Sequence, residues 1–146
     1  MISTLPSEKR DLAEELLSQP VLARIATANL ETGQPHVVPL WYMWDGASIW
    51  VSGFRSTRKF RELLTNARCA VLVEPADTKA SKIQAVLFEG AAEVISSPRQ
   101  LVEEISTRIY LRYLGEEGVK AADPQSWIHD AENVVVRLTP SQVFSW

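Results

Sequence analysis

The chain has 146 residues, 46% of them hydrophobic, which fits one domain spanning residues 1–146 with a real core. Its net charge of −3 argues against a global electrostatic drive toward nucleic acid. The single cysteine, Cys69, rules out an intrachain disulfide and a thiolate metal cluster. The opening run Met1-Ile2-Ser3-Thr4-Leu5-Pro6 has no basic region followed by an apolar core, so no signal peptide is expected. The longest uncharged stretch, residues 32–44, carries two prolines and is too short to span a bilayer. A soluble cytoplasmic protein without a membrane partner is therefore expected.

Residues 6–19 read as a packing helix, with Leu12, Ala13, Leu16 and Leu17 as its apolar stripe and Pro20 as its stop. Residues 21–30 read as a strand, Glu31-Thr32-Gly33-Gln34 as a turn and residues 35–44 as a second strand. Asp45-Gly46 is a tight hairpin signal, and residues 47–53 read as the third strand. Pro39 cannot donate to a ladder. It marks an edge, a bulge or a place where something else meets the backbone.

The run from Ser52 to Leu64 organises the rest. It ends a strand, turns at Gly53 and becomes a helix whose Phe60, Leu63, Leu64 and Ala67 recur at helical spacing. Ser56 or Thr57 stands at the N-cap position. Arg55, Arg58, Lys59 and Arg61 crowd the first turns, where cations oppose the helix dipole. That choice makes sense if free amides, hydroxyls and cations together receive a phosphate. The plain alternative is a solvated basic helix start.

Residues 68–74 read as a fourth strand, 75–81 as a loop and 82–95 as a long fifth strand with Gly90 as a bulge. Cys69 in that fourth strand reads as a buried small hydrophobe. Ser97 and Pro98 read as N-cap and first residue of a helix over 98–114, ended by Gly115. Residues 116–127 read as a short helical or irregular excursion, 133–138 as a last strand and 140–146 as an extended tail. Six strands in sequential hairpins predict a mainly β fold, a small antiparallel barrel with flanking helices.

No Gly-x-Ser-x-Gly, Walker loop or Gly-x-Gly-x-x-Gly is present, and His36 and His129 have no ligand or catalytic partner spacing. No metal site is expected and no catalytic residue is assigned. Trp41, Tyr42, Trp44 and Trp50 cluster on two strands, either as barrel packing or as walls for a flat aromatic ligand.

Taken together, Pro35-His36-Val37-Val38-Pro39-Leu40-Trp41, Ile49-Trp50-Val51-Ser52 and Ser56-Thr57-Arg58-Lys59 resemble the FMN-binding split-barrel family related to pyridoxamine 5′-phosphate oxidase. The likeness covers residues 21–95, with a weaker tail at 134–146. It implies a six-stranded split barrel and an FMN-dependent oxidoreductase acting on a small molecule. Arg58 and Lys59 would hold the cofactor phosphate with Ser56 and Thr57. The backbone of Val37, Val38, Pro39, Leu40, Trp41 and Tyr42 would run along the ring. Val51, Ser52 and Gly53 would line the ribityl region, and Gln84 or Ala85 would approach from the fifth strand. The resemblance also implies a homodimer with sites at the interface, where Trp146 or Trp127 reaches the partner's flavin.

The segment from Val37 to Trp41, with Trp44-Asp45-Gly46, is similar as well to the branch that uses the deazaflavin F420. Its polyglutamate tail would need further cations, with Arg24, Lys79 and Lys82 as candidates. A flavin-storing protein without turnover is a further alternative. A basic helix that meets RNA or an acidic partner fits the low overall charge poorly.

Overall fold

The computed structural model describes residues 2–146. A 3₁₀ turn at Ile2–Thr4 leads into α1 (Ser7–Leu17), then β1 (Ala23–Ala28), β2 (Pro35–Leu40), β3 (Met43–Trp44) and β4 (Ile49–Phe54). Next come α2 (Arg58–Thr65), β5 (Arg68–Val73), β6 (Val86–Ile95), α3 (Arg99–Val119), α4 (Ala122–His129) and β7 (Asn133–Ser145). All strands join one antiparallel seven-stranded sheet in the order β2-β1-β5-β6-β7-β4-β3.

The two ends of that order are neighbours in sequence. Only Trp41 and Tyr42 separate β2 from β3, and three peptide steps span about 11 Å at most. The sheet must therefore curl until its two edges nearly meet, leaving a split between β2 and the β3–β4 pair. Pro39 lies on β2, which pairs only with β1, so the strand that lacks a donor there is an edge strand.

The expected second strand over 35–44 is thus two strands, and the sheet has seven strands where six are expected. The cause is Tyr42. Its backbone N–H donates to the Tyr113 hydroxyl at 3.2 Å and not to a strand neighbour. Its ring is buried, with its hydroxyl donating to the Leu17 and Gln19 carbonyls at 3.2 and 3.3 Å. The end of the chain also differs from the expected tail, because β7 runs unbroken through Pro140 to Ser145. A bulge absorbs the proline: Gly90 faces Pro140, Glu89 faces Gln142, and Ser141 is the extra residue.

The expected bulge at Gly90 is there. A Cβ on Gly90 would stand 2.7 Å from the Thr139 carbonyl oxygen. Gly90→Ala is expected to lower stability by about 1–3 kcal/mol through this overpacking, read as a lower thermal midpoint; an unchanged midpoint would contradict the close approach.

Helix ends differ locally. Pro98 occupies the N-cap position of α3 and not its first turn, and no side chain caps it. Helical bonding resumes after Gly115 and continues to Val119, but Gly115 itself breaks the helix at φ 75°, ψ 174°. Strand six begins at Val86 and not at residue 82, because Gln84 and Ala85 donate their N–H groups to the single carbonyl of Trp146.

Inside the curl lies one core of Ile25, Val51, Phe60, Val71, Phe88 and Leu138, to which α1 adds Ala13, Leu16 and Leu17. A second core outside the sheet packs Val102, Ile105 and Ile109 of α3 on Trp50 and Val135. Cys69 is buried as expected, and burial pushes its thiol up to about 12. Among the described residues no helix is long and apolar enough to cross a membrane.

Candidate functional site

The strand β4 delivers the chain to the start of α2 at the split. Phe60 fixes that joint. It is fully buried, and a Cβ on Gly53 would come within 3.0 Å of its ring. Only glycine lets the helix come this close to the strand.

Thr57 is the residue at the N-cap position, but its hydroxyl does not cap the helix. It donates backward to the Phe54 carbonyl at 2.8 Å. The first-turn amides of α2 therefore keep their need for an acceptor. Lys59 stands beside them, half-buried. Its ammonium contacts the Thr57 hydroxyl at 3.4 Å and lies 4.7 Å from the Phe60 ring centroid. Among the described residues it meets no carboxylate. Burial holds its pKa below the ordinary lysine value, so an anion arriving here would be drawn to a poorly solvated cation.

Arg58 follows the same helix start. Its Nε donates to Glu62 Oε2 at 3.4 Å, and its terminal nitrogens make no hydrogen bond among the described residues. Glu62 is turned inward and accepts the Thr27 hydroxyl at 2.7 Å. The Thr27 hydrogen bond and the Arg58 guanidinium hold the Glu62 carboxyl below the usual carboxylate range against the opposing effect of burial.

An aromatic wall stands on the other side of β4. Trp41 stacks on Tyr113 with centroids 4.9 Å apart and meets Tyr110 edge-on at 5.8 Å. Tyr110 in turn meets Trp127 edge-on at 6.1 Å. The Ser52 hydroxyl donates to the Tyr110 hydroxyl at 3.2 Å. Burial raises the pKa of Tyr110, so its hydroxyl stays protonated at neutral pH. Among the described residues no group of three His, Cys, Asp or Glu side chains could hold a metal.

The sequence matches the pyridoxamine 5′-phosphate oxidase family over residues 10–146. The chain belongs to that family. No curated protein matches it. Among solved structures, the conserved hypothetical protein Rv2991 of Mycobacterium tuberculosis is 25% identical, with a TM-score of 0.74, covering 97% of this chain and 85% of its own. An F420 reductase is 23% identical, with a TM-score of 0.69 and coverage of 90% and 94%. The heme storage protein HutZ of Vibrio cholerae is 17% identical, with a TM-score of 0.68 and coverage of 96% and 93%. The last two likenesses bear on the fold alone.

In this pyridoxamine 5′-phosphate oxidase family chain, Ser52, Gly53, Ser56, Thr57, Arg58 and Lys59 fall together on the β4–α2 joint. Val37, Val38, Pro39 and Leu40 form the facing edge strand, with Val37 and Pro39 exposed, and Trp41 continues from it. Two expected residues offer no side chain to the split. Tyr42 and Val51 point into the barrel core and are closed to a ligand. Gln84 and Trp146 lie together at the far end of β6. Gln84 is six residues from Gly90, the position level with Cys69, or roughly 20 Å along a strand. Within one chain they do not join the α2 cluster.

Two of the three cations expected for a tail, Arg24 and Lys82, are also elsewhere. Arg24 pairs with Glu74 at 2.8 Å, and Lys82 lines a recess beside α1. Sequence reasoning missed Glu62, Thr27, Tyr110 and Tyr113. The i,i+3 spacing of Tyr110 and Tyr113 in one helix was the available signal.

The Glu62 environment predicts a pH effect. A carboxyl whose folded pKa is depressed stabilises the fold above its unfolded value of about 4.3 and loses that contribution as pH falls through its folded value. Acid unfolding of the wild type and of Glu62→Gln checks this. The stability difference between them is expected to hold flat at neutral pH and to shrink below about pH 4.3; a difference independent of pH down to full protonation would contradict the environment described.

Proposed function

We propose that this chain binds FMN by its phosphate at the start of α2 and uses it as an oxidoreductase on a small molecule. The observation that carries this is the uncapped first turn of α2 beside the unpaired, half-buried Lys59 ammonium and the free end of Arg58. A phosphate dianion meets both cations and the helix amides there in charge-assisted hydrogen bonds. Ser56 and Thr57 add hydroxyls. The edge backbone of β2, from Val37 to Trp41, faces the split where a flat ring would lie, and Ser52 stands on its other side. The bound group would supply hydride or electron transfer, while the protein binds, orients and shields it from water. The neutral Tyr110 hydroxyl holds Ser52 in place beside that position.

The proposal includes a homodimer. Leu72, Leu87 and Phe144 are aligned across β5, β6 and β7 on the outer face of the sheet, and Phe144 is 44% exposed. Beside them runs a shallow trough of about 860 Å³ floored by Ala26, Ala28, Ala70, Gly90 and Ala91. A second copy seated there would cover this apolar surface. It would also give Trp146 and Gln84 a route to the neighbouring site.

F420 is the second reading. It is favoured by a recess that continues past Arg58, and a similar fold is found in an F420 reductase.

The experiment is an absorbance spectrum of the purified protein, mass analysis of what denaturation releases, and titration with FMN, riboflavin and F420. FMN bound far more tightly than riboflavin supports the phosphate assignment. Binding of none of the three sinks the reading. Reduction of the bound cofactor by a nicotinamide donor then separates an enzyme from a flavin carrier, and sedimentation at equilibrium tests the dimer.

A further inference from the structure

We infer that Tyr113 is a positioning residue for the ring side of the split, its hydroxyl wedging open the β2–β3 break and its ring fixing Trp41. On the flavin reading above, on which this role rests, Tyr113 shapes the surface that a flat ring meets, apart from the phosphate at α2.

The β1–β2 ladder has a next rung that is not made. Asn29 N–H donates to the Gln34 carbonyl at 3.0 Å, and the register then runs by twos through Ile25–Val38 and Ala23–Leu40. In an antiparallel pair every second opposed pair exchanges both hydrogen bonds, so Val21 and Tyr42 stand where the next such pair belongs. Neither bond forms. Val21 N–H turns back to the Gln19 carbonyl at 2.9 Å. Tyr42 N–H donates to the Tyr113 hydroxyl at 3.2 Å, and that hydroxyl gives its own proton to the Val21 carbonyl at 2.7 Å. One phenol oxygen, accepting from one segment and donating to the other, stands in the place of a direct backbone bond.

The ring of the same side chain holds the residue before the break. Trp41 stacks on Tyr113 at 4.9 Å with 8° between the planes. The Arg112 guanidinium lies over the Tyr42 ring at 5.2 Å and the Tyr113 ring at 5.9 Å, and donates to the Gln19 carbonyl at 3.0 Å. Residues 41 and 42 are thus gripped from α3, one by its side chain and one by its amide. Burial raises the Tyr113 pKa, so the hydroxyl keeps the proton it gives to Val21.

Wedged apart, the two segments diverge at the end of the β2 edge. Alternation along β2 turns the backbone groups of Val37 and Trp41 away from β1, toward the split. A direct rung at Val21–Tyr42 would draw that end of β2 onto β1 and carry Trp41 with it. Tyr113 therefore sets how far the edge reaches along a ring, while Arg58 and Lys59 set where its phosphate goes.

The test titrates FMN and riboflavin into the wild type and Tyr113→Phe, at a temperature where circular dichroism shows both folded. The variant keeps the stacking ring and lacks the wedge. Both flavins are expected to bind it about tenfold more weakly, by the same factor, as for the loss of one organising hydrogen bond. The absorbance bands of the bound ring are expected to shift as well. Tyr113→Met, which also lacks the hydroxyl, serves where the phenylalanine variant does not fold. Affinities and a spectrum that match the wild type, with or without a lower thermal midpoint, overturn the role: Tyr113 then ties the fold and nothing more. A fall for FMN alone also overturns it, since the damage then lies at the phosphate. If the wild type binds neither flavin, the flavin reading fails and this role fails with it.

Discussion

Replacing Arg58 and Lys59 together by alanine is expected to weaken cofactor binding by about a hundredfold or more and to leave the fold intact. Each charged hydrogen bond contributes about 1.5–3 kcal/mol, and two are removed. The fold tolerates the change because neither side chain is an anchor of the core. Arg58 is about half exposed and its single partner keeps the Thr27 hydroxyl. Lys59 has no ion pair among the described residues to lose. Riboflavin serves as the control, since it has the ring without the phosphate and its affinity is expected to stay unchanged. A variant that binds FMN as the wild type does would refute the phosphate assignment, and loss of riboflavin binding in parallel would point to a damaged ring site.

Phe60→Ala is expected to have the largest effect on stability, about 3–5 kcal/mol, as for other fully buried aromatic residues. For a chain of this size that lowers the thermal midpoint by about 10 °C or more. Phe60 is fully buried and rests on Gly53, so the cavity opens at the β4–α2 joint. The first turn of α2 then loses the contact that sets its position against the strand, and phosphate affinity is expected to fall although no cation is removed. Thermal unfolding and FMN titration of this one variant separate the two effects. Lost stability with undiminished affinity at a temperature where the variant is folded would show that α2 holds its place without Phe60.

What could be read from the sequence was local. The helix after Gly53, the turn at Asp45-Gly46 and the bulge at Gly90 each announce themselves within a few residues, by period, by turn chemistry or by a missing side chain. The clustering of Ser56, Thr57, Arg58 and Lys59 at a helix start is local too. What escaped depends on partners far along the chain. Tyr42 leaves the ladder for a hydroxyl 71 residues away, and nothing near it in sequence says so. Pro140 looked like the end of a strand because its compensation, Gly90, lies on another strand. Glu62 resembles any acid four residues after an arginine, and only the tertiary position of Thr27 turns it inward. Tyr42 and Val51 were placed at the site as members of segments that do border it, but alternation along β4 sends the Val51 side chain inward, and the hydroxyl bonds to the Leu17 and Gln19 carbonyls hold the Tyr42 ring in the core.

The position of β7 has a consequence for the order in which the molecule is made. It is the one strand between β6 and β4, so it joins the sub-sheet of β2, β1, β5 and β6 to the β3–β4 hairpin. Ile49 pairs with Leu138 and Phe54 with Asn133, contacts that close very long loops and form slowly compared with local hairpins. Before that closure, β2 belongs to one half and β4 to the other, so the two sides of the split do not yet face each other. On the proposed function, cofactor capture would therefore be a late event in maturation, gated by insertion of the last strand. A nascent chain released before β7 has emerged has an open strand edge on each half, and its first available partner is another chain.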